Sequence, residues 1–294
     1  MNRSNSYTNP QNFEFAGRTK SVPELSHIAV HPIKALDPLS LQRVGFSTAG
    51  GLTDDRAYAI VDGDGNYING KRTAAVHPIR TTYNRSDGTV QFDSTKQAAV
   101  DPPGIEMEAK TLHPDEQREA VESWLSAYFG TSMTLRAGEG GSQTDGVVYG
   151  NGSKTGPTLV AKATLAEVAS WYGLPTEEIR RRMRPNLVVS GVPAFWEDRL
   201  VDGQQVRIGD VTLDGEKVLP RCVVPKRDSK TGAETPRFQQ TFVEQRGATL
   251  PEWTPLKAFN GNLYHLAARL RVPESEREGE IRVGDEVSLV ESTG

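Results

Sequence analysis

The sequence predicts a β-rich α+β protein, and two features of the chain support that prediction. Twenty-eight glycines and eighteen prolines divide its 294 residues into many short segments. Several segments alternate apolar with polar residues, as half-buried strands do, while helical periodicity is confined to three stretches. Short strands with a few helices between them are typical of the α+β class.

Five segments have the composition and alternation of strands, namely residues 26–33, 56–63, 186–191, 205–213 and 280–290. In the fourth segment, alternating apolar residues flank Gly209-Asp210, which predicts a two-stranded hairpin. The fifth segment repeats this pattern around Gly284-Asp285 and predicts a second hairpin. The stretch from Asp62 to Gly65 reads as a further hairpin turn.

Helical spacing occurs in three stretches. Residues 114–129 place apolar side chains at helical intervals, with acidic residues in the first turn. Thr164-Leu165-Ala166-Glu167 matches a capping box, which predicts a helix that ends at Gly173. Thr176 is expected to cap a third, short helix that ends before Pro185.

The length allows one large domain or two ordinary ones. Residues 1–21 are polar and are expected to form a flexible tail. Residues 136–157 are rich in Gly, Ser and Thr and form either a flexible linker or a functional loop. We therefore predict an N-terminal domain over residues 22–140 and a C-terminal domain over residues 141–294.

Composition narrows the partners and the compartment. A formal net charge of −4 and a pI near 5.8 do not indicate affinity for nucleic acid or for a membrane surface. The apolar runs are too short to span a membrane, and the N-terminus lacks the apolar core of a secretory signal. One cysteine excludes an intrachain disulfide and a Cys-rich zinc or iron–sulfur site. A reducing cytoplasm is the expected location.

Two possible metal sites are rejected on their residues. Residues 62–73 begin like a calcium loop, but Tyr67 stands where that loop needs glycine and Thr73 where it needs a bidentate glutamate. His27 and His31 are four residues apart, but their β-like context argues against one helical metal-binding face. Neither segment is expected to bind a metal.

The single cysteine, Cys222, has basic neighbours. Arg221 precedes it, and Lys226 and Arg227 follow. Positive charge favours the thiolate, which is both a nucleophile and a metal ligand. From composition alone, a functional thiol and a small buried apolar residue are about equally supported.

Several motifs in order resemble the MOSC domain, named after the C-terminal part of molybdenum cofactor sulfurases. They are "RMRPNLVVSGVPAFWEDRL" (182–200), "VRIGDVTL" (206–213) and "PRCVVPKRDSKTG" (220–232). Upstream, "IAVHPIKAL" (28–36) and the segment 51–72 resemble the β-barrel domain that precedes MOSC in the mitochondrial amidoxime-reducing component and in bacterial YcbX proteins. The resemblance implies a β-barrel-like N-terminal domain and a C-terminal MOSC β-barrel domain with a few helices.

The resemblance also implies a site. In this family a cysteine binds molybdenum, together with the dithiolene of a pyranopterin (molybdopterin), and the match makes Cys222 the metal ligand and catalytic residue. Cofactor contacts are implied for Lys34, Arg56, Thr155, Arg184, Asn186, Arg221 and Cys222. From charge alone the run of residues 180–184 reads as a solvated helix end, whereas the resemblance assigns Arg184 to the cofactor.

The function implied is an oxidoreductase that reduces small N-hydroxylated compounds, such as amidoximes and hydroxylamines, without pyridoxal phosphate. Because no Cys-rich module follows, electrons are expected from a separate ferredoxin-, cytochrome- or flavoprotein-type donor. Asp198 or Asp228 is a candidate to orient groups or relay protons, although structural ion pairs are the favoured role of both. The alternatives are a molybdenum-cofactor carrier or sulfur-transfer protein with a persulfide on Cys222, and a binding module with an inert cysteine.

This chain departs from the commoner family pattern close to the expected metal. Ala35 follows Lys34 where serine is frequent, and Pro220 stands before Arg221-Cys222 where serine is frequent. Residues 225–228 read Pro-Lys-Arg-Asp instead of a Thr-rich sequence. Substrate specificity is expected to depend on this last segment.

Overall fold

A computed structural model describes residues 22–94, 105–138, 156–259 and 261–291. These ranges contain fifteen strands and four α-helices, which confirms the β-rich α+β class. The tail predicted for residues 1–21 and most of the segment 136–157 lie outside the described residues.

The strands are β1 (Glu24–Val30), β2 (Leu39–Leu41), β3 (Arg43–Gly45), β4 (Tyr58–Asp62), β5 (Ile79–Asn84), β6 (Thr89–Ser94), β7 (Met107–Leu112), β8 (Met133–Ala137), β9 (Thr158–Ala161), β10 (Leu187–Ser190), β11 (Gln205–Ile208), β12 (Val211–Pro220), β13 (His265–Arg271), β14 (Glu280–Arg282) and β15 (Val287–Leu289). The helices are α1 (Arg118–Phe129), α2 (Lys162–Tyr172), α3 (Thr176–Met183) and α4 (Phe238–Ala248).

The largest sheet joins both ends of the chain. In the described ranges it has eight strands in the order β15-β11-β12-β13-β9-β10-β1-β2. A neighbouring pair, β3 with β14, also combines an early and a late strand. Leu25, Ile28 and Val44 are accordingly buried in one apolar core with Val206 and Leu270. The division at residue 140 remains a prediction, but strands from both sides of it share one sheet.

A second group of strands holds the rest of the N-terminal half. Strand β4 pairs with β8, and β5, β6 and β7 form an antiparallel meander. Helix α1 buries Val121, Trp124 and Leu125 in the core of this group, beside Ile60 and Phe92. Apolar residues at helical spacing on α1 meet alternating residues of the strands, as expected for a helix lying on a sheet.

Of the predicted hairpins, the one at Gly209-Asp210 is confirmed, since Ile208 pairs with Val211 across the turn. The turn at Asp62 is also present, because the Asp62 amide donates to the Asn66 carbonyl at 3.0 Å. The hairpin predicted at Gly284-Asp285 is wrong. Strand β14 pairs with β3, and β15 with β11, because Leu25 of β1 takes the backbone hydrogen bonds of Gly284 and Asp285.

The predicted helices exist, but their starts differ. The capping box at Thr164 is wrong, because the Thr164 hydroxyl donates to Glu197 at 3.0 Å and α2 begins earlier. The cap predicted at Thr176 is also wrong, since Pro175 occupies that position without a side-chain bond. Gly173 ends α2 as predicted, in the left-handed conformation. Among the described residues, no helix is long and apolar enough to cross a membrane.

Candidate functional site

A cavity of about 450 Å³ lies where segments from both halves of the chain meet. Its walls come from the turn after β1, the start of β5, the end of α3, the end of β12 and the loop that follows β12. A volume of this size is in the range of small-molecule and cofactor sites. We call it the basic cavity because most of the charged side chains that line it are lysines and arginines.

Positive side chains dominate the walls of this cavity. Among the described residues, eleven lysines and arginines line it and Asp37 is the one carboxylate. The whole chain has a net charge of −4, so positive charge is concentrated here. Such a cleft attracts anions and concentrates them. The eleven cations are Lys34, Arg56, Lys71, Arg80, Arg181, Arg182, Arg184, Lys217, Arg221, Arg227 and Arg269.

Five of the seven residues predicted for the site line this cavity together, namely Lys34, Arg56, Arg184, Arg221 and Cys222. Thr155 lies outside the described residues. Asn186 is fully buried and is not part of the cavity wall. The Asn186 side chain accepts hydrogen bonds from the Thr158 amide and hydroxyl, both at 3.1 Å, and donates to the Ala29 carbonyl at 3.0 Å. Asn186 therefore positions Thr158, which does line the cavity.

Lys34 reaches the cavity from the turn after β1. The Lys34 amide donates to the Tyr58 carbonyl at 2.8 Å, which fixes this turn against β4. The Lys34 ammonium lies 4.4 Å from the centre of the Tyr67 ring, in a cation–π contact. Only 8% of the residue is exposed, so its charge is largely shielded from bulk water.

Arg56 is held by a buried carboxylate. Asp55 contacts the Arg56 guanidinium and accepts a hydrogen bond from the His31 amide at 2.8 Å. Burial would raise the pKa of Asp55, but Arg56 and the His31 hydrogen bonds outweigh it and lower that pKa to about 2. Burial and Arg184 lower the pKa of His31 to about 3. The ionised Asp55 therefore holds the Arg56 guanidinium, while the His31 backbone carbonyl accepts a hydrogen bond from the Arg56 amide at 2.8 Å.

Arg184 ends helix α3. The Arg184 amide donates to Arg180 at 2.9 Å in a left-handed C-terminal cap. Its guanidinium donates to the Leu36 carbonyl at 2.8 Å, which links α3 to the turn after β1. Burial and the nearby Arg56 charge lower the pKa of Arg184 to about 10. The Arg56 charge thus disfavours the charged form of Arg184, and a bound anion would relieve that repulsion.

Cys222 lies two residues beyond β12 and is a half-buried free thiol. The preceding Arg221 amide donates to the Tyr264 carbonyl at 2.9 Å, and the Tyr264 hydroxyl donates to the Cys222 carbonyl at 3.3 Å. The Arg221 guanidinium donates to the Met183 carbonyl at 2.7 Å, while its buried Nε has no hydrogen-bond partner in the described part of the chain. Burial lowers the pKa of Arg221, and the neighbouring Cys222 opposes that effect.

The loop after Cys222 is anchored to α3. Glu178 accepts hydrogen bonds from the Ser229 amide at 2.9 Å and the Ser229 hydroxyl at 2.6 Å. Asp228 accepts from the Lys230 and Thr231 amides, and lies 3.6 Å from Arg182. Asp228 therefore organises the loop, in line with the structural role favoured for it.

Asp198, the other candidate for proton transfer, is buried away from the cavity walls. It pairs with the buried Arg246 and accepts from the Thr254 hydroxyl at 2.7 Å. Burial raises the pKa of Asp198, and Arg246 opposes this. This arrangement matches a structural ion pair.

Sequence reasoning missed several cavity residues, among them Asp37, Lys71, His77 and Arg80. Burial, together with Arg184, Arg227 and Arg80, lowers the pKa of His77 to about 4, so its imidazole is neutral at physiological pH. Arg80 donates to the His77 carbonyl and to the Ser229 carbonyl, the latter at 3.3 Å. Ser229 is 149 residues away along the chain, so no local sequence signal could place the two together.

The donors present fit a cofactor that brings its own metal ligands. No group of three or more His, Cys, Asp or Glu side chains that could hold a metal ion occurs among the described residues. A metal at Cys222 would therefore need further ligands from outside the described part of the chain, and soft thiolate suits a metal held by sulfur. The unpartnered Arg221 Nε and the excess of cations suit a phosphate and polar ring groups.

The fold and the site define a β-rich protein with one cysteine at the wall of a basic cavity, and comparison with protein families identifies the class. The MOSC N-terminal beta barrel domain matches residues 22–132, and the MOSC domain matches residues 155–288. The chain is therefore a MOSC-domain protein. MOSC domains are associated with molybdenum-cofactor sulfurase-like and molybdenum-binding proteins.

Similarity to solved structures is weak. A solved structure described as APC1665, YUAD protein from Bacillus subtilis, is 11% identical, with a TM-score of 0.38. The similarity covers 90% of this chain and 94% of that one. Comparison with curated proteins gives no match.

Proposed function

We propose that this protein binds a molybdenum–pyranopterin cofactor through Cys222 and reduces small N-hydroxylated compounds. The observation that carries the proposal is the position of Cys222. Its half-buried thiol lines the same cavity as Lys34, Arg56, Arg184 and Arg221, although these residues come from distant parts of the chain. One soft ligand within a ring of cations is what a metal cofactor with a phosphate requires.

Different residues would bind the metal and the pterin. Cys222 would ligate the metal, and Arg56, Arg184 and Arg221 would bind the phosphate and other acceptor atoms. Lys34 would add a further positive charge from the turn after β1. When bound, the cofactor would supply the two electrons that convert an N–OH group to N–H, with uptake of two protons and release of water.

The protein fixes the thiol before the cofactor arrives. Tyr264 hydrogen-bonds the backbone on both sides of the Arg221–Cys222 peptide unit, and Arg221 is tied to Met183. Because the sulfur is attached to a backbone that hydrogen bonds already hold, less conformational entropy is lost when the cofactor binds. Electrons would reach the site from a separate electron-donor protein.

The test is reduction of benzamidoxime to benzamidine by protein purified from a host that makes the cofactor. Molybdenum and pterin are first quantified, and dithionite-reduced methyl viologen then supplies electrons. We expect turnover proportional to molybdenum content. Protein with full molybdenum occupancy that reduces neither amidoximes nor hydroxylamines would contradict the reductase function.

A second function, cofactor delivery or sulfur transfer, is supported by exposure beside the thiol. Val223 is 44% exposed, so the segment at Cys222 borders the protein surface where an acceptor protein could reach it. A persulfide trapped on Cys222 by alkylation and detected by mass spectrometry would favour this function. Tightly retained, redox-cycling molybdenum would count against it.

A further inference from the structure

The basic cavity contains more cations than the motif-matched residues supply. Arg80, Arg181, Arg182 and Arg227 line the side formed by β5, the end of α3 and the loop after Cys222. They line the same cavity as Cys222, so a substrate bound in this cavity would meet their charges. Their ion pairs therefore decide which charge this cavity accepts.

The carboxylates that pair with these arginines are shared. Asp37 lies 3.2 Å from Arg80 and 3.6 Å from Arg181. Glu234 lies 2.8 Å from Lys226 and 3.2 Å from Arg227. Glu177 also pairs with Arg181 and with Arg180, so the first group has three cations for two carboxylates and the second has two cations for one. Each group is left with a net positive charge.

Most of the described carboxylates that pair with these arginines do not line the cavity. Of the described carboxylates that pair with these four arginines, only Asp37 lines the cavity. Arg182 is balanced by two of them, Glu178 and Asp228. The arginines thus line the cavity while most of their carboxylate partners do not, and this excess of cations on the wall favours anions inside it.

Arg227 is the residue of this set best placed to contact a ligand. It follows a 3-10 turn over Val224–Lys226, and its amide donates to the Val224 carbonyl at 2.9 Å, which holds the residue close to Cys222. Its side chain is 19% exposed, and its only carboxylate partner in the described part of the chain, Glu234, is 48% exposed. A partner so accessible to water holds the guanidinium weakly.

We propose that the site selects N-hydroxylated substrates that carry a carboxylate, and that Arg227 is the residue that determines this specificity. The inference rests on the proposed reductase function. The substrate carboxylate would pair with the Arg227 guanidinium from within the cavity, whose wall includes Arg227 but not Glu234. Charge-assisted bonds between guanidinium and carboxylate are stronger than neutral ones and are geometrically specific.

Equilibrium binding tests this without turnover. Benzamidoxime and 4-carboxybenzamidoxime differ by one carboxylate, and their dissociation constants are measured by calorimetry on the cofactor-loaded protein. We expect the carboxylated compound to bind about tenfold more tightly to the wild type. Arg227→Gln should reduce the ratio of the two constants towards one, and Arg227→Glu should reverse it.

Lys226→Gln is the matched control, because Lys226 shares Glu234 but does not line the cavity. It should keep the wild-type ratio. Equal affinity of the wild type for both compounds would overturn the proposal, even if both are reduced, and so would an unchanged ratio in Arg227→Glu. Preferential binding of the carboxylated compound without any turnover would contradict the reductase function and leave anion selection standing.

Discussion

Three residues that line the basic cavity have backbone conformations that side-chain-bearing residues rarely adopt. Ala35, Arg56 and Arg184 have φ angles of 73°, 57° and 54°. The left-handed region costs a non-glycine residue about 1–2 kcal/mol. Such strain concentrates at functional sites, where the surrounding structure imposes it. Two of the three, Arg56 and Arg184, carry guanidinium groups that we propose bind the cofactor. Their backbone strain is therefore consistent with a functional role for these two side chains.

Replacement of Arg184 by glycine separates strain from binding. Arg184→Gly removes the guanidinium and relieves the left-handed strain of about 1 kcal/mol, which offsets loss of the hydrogen bond to Leu36, also about 1 kcal/mol. We expect the free energy of unfolding of the cofactor-free protein to change by less than about 1 kcal/mol. Pterin retained through gel filtration should fall about tenfold.

Arg237→Gly is the control for this variant. Arg237 has a φ of 56° but is largely exposed and lies outside the cavity wall. It should keep the pterin content of the wild type. Full pterin retention in Arg184→Gly would show that Arg184 does not bind the cofactor.

Glu197 makes stability depend on pH. Burial, and then the Asp198 charge, raise the pKa of Glu197 to about 8, and one of its oxygens has no hydrogen-bond partner among the described residues. The folded protein therefore keeps a proton that the unfolded chain releases above about pH 4.5, so rising pH favours unfolding. Between pH 5 and pH 8 the loss is about 3 kcal/mol.

Glu197→Gln should abolish that loss. Measured by urea unfolding, the stability of the variant relative to the wild type should rise by about 3 kcal/mol from pH 5 to pH 8. Groups such as His31 titrate in both proteins and cancel in this difference. A difference that does not change with pH would mean that Glu197 is ionised in the folded state.

At the scale of elements, local patterns were sufficient where a structure depends on neighbours in sequence. The hairpin at Gly209-Asp210 and the end of α2 at Gly173 are of this kind. Strand β13 is the opposite case. Its sequence, His-Leu-Ala-Ala-Arg-Leu-Arg, is rich in good helix formers, but it is buried between β12 and β9. Pairing with distant strands overrides local helix propensity in β13. It likewise replaces the local hairpin predicted at Gly284-Asp285, where β14 pairs with β3 and β15 with β11.

The loop after Cys222 depends on one glutamate of α3. Glu178 receives two hydrogen bonds from Ser229 and one from Arg182. Loss of such charge-assisted bonds costs about 1.5–3 kcal/mol. In Glu178→Ala, amide hydrogen exchange across residues 224–235 should accelerate about tenfold or more, and cofactor should be lost faster.

Glu177→Ala provides the comparison. Glu177 precedes Glu178 on the same helix but is half exposed and pairs only with Arg180 and Arg181 among the described residues. Exchange in the loop should stay at the wild-type rate. Equal acceleration in both variants would point to general loosening of α3 instead of loss of the loop anchor.

At the scale of the whole molecule, the motifs were sufficient to predict the family and four of the residues that line the basic cavity with Cys222, namely Lys34, Arg56, Arg184 and Arg221. They were not sufficient to predict the shared sheet, because β1 joins β10 across more than half of the chain. They also did not indicate Arg80, whose place in the cavity depends on how the second group of strands meets the loop after Cys222. A motif match also does not by itself place a residue on the cavity wall. Asn186 belongs to a matched motif, but its side chain is hydrogen-bonded inside the fold to Thr158 and Ala29.

Elemental analysis directly tests whether Cys222 ligates molybdenum. Wild type and Cys222→Ala are purified in parallel from a host that makes the cofactor, and molybdenum and pterin are measured per mole of protein. We expect close to one molybdenum per pterin in the wild type and a large loss of molybdenum in the variant. Equal molybdenum content in both proteins, or none in a wild type saturated with pterin, would contradict it.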